Sequence, residues 1–147
     1  MVKIVVKKFN DLSLEELYSL LQLRSEVFVV EQECVYQDID EKDYKSLHVI
    51  FKKGNKIIAY TRLFNKGQYF KEASIGRVVV VKNLRHLNYG SEIMRASIKA
   101  IQEHFNTNKI KISAQLYLED FYNSFGFKTL GKTYLEDGIP HIEMKLN

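Results

Sequence analysis

Arg85, Asn88 and Gly90 stand as Arg-x-x-Asn-x-Gly at the mouth of an amphipathic run that extends to about Phe105. A helix N-terminus leaves backbone N–H groups without intrahelical partners and carries partial positive charge, which together suit a phosphate. A turn that aims consecutive N–H groups inward needs residues tolerant of unusual backbone angles. Gly90 has that freedom, and Asn88 is among the few other residues that enter the left-handed region at low cost. Arg85 adds a charge that can fork onto a phosphate. The stretch Arg85, His86, Leu87, Asn88, Tyr89, Gly90 and Ser91 is therefore a candidate anion cradle. An ordinary strand-to-helix connection, with its own cap and turn, has the same residue types.

Other side chains could move protons or hold charge. His141, in Gly-Ile-Pro-His-Ile-Glu-Met, can titrate near neutral pH, and so can His48. Either could equally be a packed or surface histidine. Glu31, Glu33, Asp137 and Glu143 are further candidate bases, and a chain of waters could replace them all. Tyr122 is a phenol able to donate a proton, or a core tyrosine with a satisfied hydroxyl. Arg62 and Arg77 fall on consecutive strands. If they share a face they could hold a carboxylate or phosphate of a substrate, or pair with Glu26 or with the Asp38–Asp43 segment. Asp38, Asp40 and Asp43 with His48 suggest a metal. The glycine and closing glutamate of an EF-hand are absent, so a solvated acidic loop and no metal are expected. Cys34 has no histidine near it in sequence and reads as an inert thiol.

The elements that must position these groups follow from periodicity. Val2–Phe9 reads as a strand. Ser13 as N-cap with Glu16 three residues on forms a capping box, opening a helix with Leu17, Leu20, Leu21, Arg24 and Phe28 at helical spacing. Val27, Val29 and Val30 weaken that helix near its end. Two strands flank Gly54-Asn55 as a hairpin, and a β-branched strand runs over about Ala73–Val81. The anion-cradle helix covers about Tyr89–Phe105, another strand follows, then a short helix ending at Gly126, then two strands about Asp137-Gly138. The order β-α-β-β-β-α-β-α-β-β is an antiparallel meander feeding a strand–helix–strand crossover, a mixed sheet with helices on its faces.

Length fits one domain over residues 1–147. A composition 46% hydrophobic and 27% charged is that of a soluble globular protein. No apolar run approaches the ~20 residues that span a bilayer, and no signal peptide is evident, so no membrane association and a cytoplasmic location are expected. One cysteine excludes an internal disulfide and a multi-cysteine zinc site. The net charge of +4 comes from 22 basic residues spread along the chain, which argues against nucleic acid and suits a small polyanion. Oligomeric state is open, and a homodimer is compatible with the sequence.

The loop resembles the pyrophosphate loop of the GNAT superfamily of acetyl-CoA-dependent N-acetyltransferases, whose motif is Arg/Gln-x-x-Gly-x-Gly/Ala. Arg85, Asn88 and Gly90 fill its three slots, with Asn88 replacing the first glycine. Val78, Val79 and Val80 occupy the strand that binds the pantetheine arm in that family. Phe121–Phe127 matches the family's Phe-Tyr-x-x-x-Gly-Phe, with Gln115 where an asparagine is common and Lys82 where a proline is common. Segments along nearly the whole chain, among them "LRSEVFVVEQECVYQDIDEKD" and "YLEDGIPHIEMKL", are similar to the ElaA-like subgroup.

The resemblance implies an α/β fold built on a mixed, largely antiparallel, twisted sheet of about seven strands with helices on both faces. It implies acetyl-CoA as cosubstrate and transfer of the acetyl group to a primary amine of a small molecule or peptide. Tyr122 then becomes the acid that protonates the departing thiolate, backbone N–H groups around Val79 serve the oxyanion, and His141 leads the candidates for base. The acceptor pocket is expected from the end of the first helix, the acidic loop and the last hairpin. A module that binds acyl-CoA without turnover is the alternative.

Overall fold

The computed structural model describes residues 1–147. Seven strands and three α-helices follow the expected order. β1 (Val2–Lys8), β2 (Leu47–Lys53), β3 (Lys56–Phe64) and β4 (Ser74–Val80) form an antiparallel meander in sequence order. β5 (Ile110–Gln115), β6 (Lys128–Glu136) and β7 (Ile139–Leu146) form a second antiparallel sheet in the order β5-β7-β6. One parallel bridge, Ala73 to Ile110, joins the two, with the Lys111 N–H donating to the Ala73 carbonyl at 2.9 Å. Beyond that bridge β4 and β5 have no pairing, so the sheet opens into a wedge.

Both faces of the first sheet are covered. α1 (Leu14–Arg24) begins at Ser13, whose hydroxyl accepts from the Glu16 N–H while the Glu16 carboxylate accepts from the Ser13 N–H, a complete capping box. Leu20, Leu23, Val27 and Phe28 pack there against Ile50, Tyr60 and Val79. The β-branched run after α1 does not end the helix but widens it. Ser25–Glu31 forms a π turn, with Gln32 N–H donating to Val27 and Cys34 N–H to Val29. α2 (Tyr89–Phe105) covers the other face through Ile93, Met94, Ser97, Ala100 and Ile101, the spacing of one helical stripe. A Thr61–Ser97 hydroxyl hydrogen bond of 2.6 Å pins α2 to β3 inside that core. α3 (Glu119–Asn123) is short and is followed by Gly126 at φ +98°. No helix is long and apolar enough to cross a membrane.

β4 is not regular. Tyr60 pairs with Val79 but Arg62 pairs with Gly76, so one extra residue bulges from β4. Arg77 takes up that extra residue at φ +50°.

Candidate active site

The wedge between β4 and β5 is a cleft of about 120 Å³ whose walls include Val78, Gln115, Tyr122, Glu136 and His141. Its first wall is the free edge of β4. The Val81 N–H donates to Ile58 at 2.9 Å, so the alternation of an antiparallel ladder turns Val79 toward β3 as well. Val78 presents its N–H and C=O, and Val80 its N–H, along this free edge, with Val78 lining the cleft. Of the three valines picked out by sequence, Val79 thus differs: its backbone belongs to the ladder and its side chain to the core.

At the end of β4 a 3-10 turn over Lys82–Leu87 leads to Asn88, at φ 66° and ψ 15°, and then directly into α2. The left-handed conformation expected at Asn88 is present. The first turn of α2 has no side-chain cap, so the N–H groups of Tyr89, Gly90 and Ser91 have neither intrahelical nor capping partners. Gly90 differs from expectation. It is helical, without a positive φ, and a Cβ there would meet only Phe121 at 3.6 Å and Val80 at 3.9 Å, ordinary contacts. Alanine would fit. His86 and Leu87 lie in the exposed part of the turn.

Arg85 is engaged. Its two terminal nitrogens grip the Glu31 carboxylate at 2.6 and 2.9 Å, and its Nε donates to the Val80 carbonyl at 3.1 Å. The guanidinium holds the Glu31 carboxyl below its ordinary pKa. The pair ties the π turn to the loop between β4 and α2.

Tyr122, on α3, is buried in the cleft floor, and burial pushes its pKa well up. Its hydroxyl makes no hydrogen bond within the chain, unlike a core tyrosine with a satisfied hydroxyl. Gln115, at the end of β5, exchanges amide contacts with Gln32 at 3.3 and 3.5 Å.

The opposite wall is the last hairpin. The His141 Nδ1 lies 2.7 Å from the Ile139 carbonyl, which only accepts, so Nδ1 carries the proton and Nε2 faces Glu136 Oε2 at 3.4 Å. The Ser113 hydroxyl donates to Glu136 Oε1 at 3.2 Å and also contacts the Tyr134 hydroxyl. Cys34 lines the cleft and its thiol donates to the Asp137 carbonyl at 3.2 Å.

His48 does not reach this place. It is fully buried with both ring nitrogens engaged, Nδ1 with the Tyr60 hydroxyl at 2.5 Å and Nε2 with the Asp43 carbonyl at 3.0 Å. Burial lowers its pKa. Glu143 pairs with Lys111 at 3.2 Å, and Glu33 is exposed.

The acidic loop is not a solvated one. Asp38 and Asp43 are buried. Arg24, fully buried on α1, donates to Asp38 at 2.9 Å and Asp43 at 2.7 Å. Arg62 grips Asp40 at 2.8 and 2.9 Å and meets Asp43 at 3.1 Å. Arg77 reaches Asp38 at 2.7 Å and Asp40 at 3.4 Å. Arg62 and Arg77 do share a face and both line the cleft, but their charges meet the chain's own aspartates. The Arg62 Nε alone is buried without a partner. Burial by itself would raise the Asp40 pKa, and the Arg62 guanidinium outweighs it, holding the carboxyl at about 2.

Sequence reasoning missed Glu136, Ser113 and the partner of Arg85. Glu136 could have been found. A two-residue turn at Asp137-Gly138 sets Tyr134 opposite His141 and leaves Glu136 one pleat along on the same face. Arg24 at an apolar position of a buried helix face also demanded acids nearby.

The sequence model of the GNAT acetyltransferase domain matches residues 9–147. A UPF0039 protein of Schizosaccharomyces pombe is 42% identical over 147 residues, 99% of this chain and 97% of that protein. Protein ElaA of Escherichia coli is 40% identical over 137 residues, 92% of this chain and 90% of that protein. The crystal structure of an acyl-CoA N-acyltransferase from Pseudomonas aeruginosa superposes with a TM-score of 0.95 at 36% identity, covering 100% of both chains.

Proposed function

Because the chain belongs to the GNAT acetyltransferase family, we propose that it moves an acetyl group from acetyl-CoA to a primary amine by direct attack in a ternary complex. The observation that carries this reading is the open edge of β4 running into the uncapped N-terminus of α2, with the unpartnered Tyr122 hydroxyl on the cleft floor. The edge supplies the N–H and C=O of Val78 and the N–H of Val80 for the pantetheine amides. The α2 N-terminus and Arg85 take the pyrophosphate.

The amine attacks the thioester carbon while a Val78 or Val80 N–H donates a hydrogen bond to the developing oxyanion. In its neutral form His141, with Nδ1–H bonded to Ile139, carries its lone pair on Nε2, and that nitrogen receives a proton from the amine. Tyr122 gives a proton to the sulfur as the C–S bond breaks. Arg62 and Arg77 shape the wall against which the acceptor binds. Residues 1–147 act as one catalytic unit in the cytoplasm.

Calorimetric titration with acetyl-CoA, followed by thiol release over a panel of primary amines, tests the reading. Saturable binding with amine-dependent release of CoA is expected. No binding at millimolar acetyl-CoA would overturn it, and binding without release on any amine would leave an acyl-CoA-binding module.

A further inference from the structure

The charges in the cleft do not cancel everywhere. Arg24, Arg62 and Arg77 meet Asp38, Asp40 and Asp43. Glu136 has no lysine or arginine partner, and the one basic side chain beside it is His141. Its side chain is 41% exposed, so it remains solvated and reachable from the cleft. It is also held in place. Ser113 donates to its Oε1, Ser113 is itself tied to Tyr134, and the Tyr134 ring stacks on His141 at 6.1 Å and 27°.

The contact between Glu136 and His141 is incomplete as it stands. The Nδ1 proton is fixed by Ile139, so the neutral imidazole presents a lone pair at Nε2 to a carboxylate oxygen 3.4 Å away. Two acceptors at that separation need a donor between them. A proton on Nε2 would serve, and so would a ligand bearing several N–H groups and a positive charge.

We propose that Glu136 is the docking carboxylate for the acceptor, which binds as an ammonium ion shared between Glu136 and His141 Nε2. The acceptor class is then protonated primary amines without an anionic group beside the amine, since the cleft's arginines are already neutralised. This rests on the acyl-transfer reading and names its substrate class. The ammonium donates one N–H to Glu136 and passes a second proton to His141. The free amine forms the C–N bond as the thioester carbonyl electrons move to oxygen. Reformation of the C=O bond expels the thiolate, which takes the Tyr122 proton. The nitrogen's remaining excess proton passes to Glu136 and on to solvent, and Tyr122 is reprotonated from His141. The balance is acetyl-CoA plus ammonium giving amide, CoA thiol and one proton.

Glu136→Gln keeps the side-chain length and the oxygen that accepts from Ser113. Steady-state kinetics at pH 7.5 with n-butylamine, which is protonated, and 2,2,2-trifluoroethylamine, which is neutral, read the inference. The variant is expected to raise KM for butylamine about tenfold, a loss of ~1.4 kcal/mol, and to change KM for trifluoroethylamine much less. Acetyl-CoA affinity by calorimetry should stay unchanged. Equal effects on the two amines, or none, would overturn the role of Glu136 while leaving acyl transfer intact. If wild type acetylates neither amine, saturation-transfer NMR of butylamine with CoA-loaded protein decides instead. Butylamine signal present in wild type and lost in Glu136→Gln would support the docking site, and any other result would refute it.

Discussion

Removing the negative charge of Glu31 should tighten acetyl-CoA binding. Arg85 forks onto Glu31 at 2.6 and 2.9 Å and also caps the Val80 carbonyl. If Arg85 is to meet the pyrophosphate, the Glu31 contact must open. The two side chains are 40% and 29% exposed, so solvent screens the pair and its strength is of order 1 kcal/mol at most. Glu31→Gln removes that opposition, and acetyl-CoA should bind about three- to fivefold tighter, using ~1.4 kcal/mol per tenfold. High salt should shrink the gain, since an exposed pair is screened at ionic strengths well above ~0.1 M. Calorimetry on wild type, Glu31→Gln, Arg85→Gln and the double variant is the assay. Arg85→Gln should weaken binding by roughly tenfold, the scale of a lost charged hydrogen bond. In that background the Glu31 change should do nothing. Unchanged or weaker binding by Glu31→Gln would refute the reasoning, because Arg85 would then keep Glu31 in the loaded state.

Three further outcomes are expected. Asn88→Gly should bind acetyl-CoA as well as wild type or better, while Asn88→Val should weaken it through a left-handed residue costing ~1–2 kcal/mol. A harmless valine in the same titration would show that the turn relaxes. Tyr122→Phe should lower kcat by a factor of ~100 or more with acetyl-CoA affinity unchanged, and a kcat within threefold of wild type would remove Tyr122 from the chemistry. Acid should destabilise the chain through Asp40 and Glu16. Burial raises both pKa values, but Arg62 in one case, and Lys52, the Ser13 N–H and Lys7 in the other, bring each down to about 2. Carboxyls so depressed contribute stability that is complete above their unfolded values of 3.8 and 4.5 and is lost as pH falls toward 2. Thermal melts at pH 6, 4 and 2.5 should show the fall between the last two, and a flat profile would contradict the ion-pair assignment.

Much of this was legible because local rules and tertiary packing agreed. The Ser13–Glu16 box, the Gly54-Asn55 hairpin and the stripe on α2 are set by neighbours a few residues apart, and the structure repeats them. Asn88 was readable for the same reason, since few residue types tolerate its backbone. What escaped depends on distant partners. The partners of Arg85 and Arg24 lie 54 and 14 or more residues away in sequence, and no periodicity encodes them. Nor does a β-branched strand announce a bulge. Arg77 adopts a left-handed conformation between residues that favour extension, held by Asp38 and by the Tyr36 ring 5.6 Å from its guanidinium. From sequence the acidic segment reads as solvated, because three nearby carboxylates repel one another unless cations from α1, β3 and β4 are brought to them.

The single bridge between Ala73 and Ile110 has one more consequence. An unpaired strand edge normally invites another chain to add a strand, the first step toward aggregation. Here the unpaired edge lies in the interior of the molecule, flanked by β5 and the last hairpin and not at a rim. A foreign strand cannot slide in alongside it, but a thin, flexible ligand with amide groups can. By splitting one sheet at a single rung, the chain keeps an adhesive edge for its own use and withholds it from its neighbours.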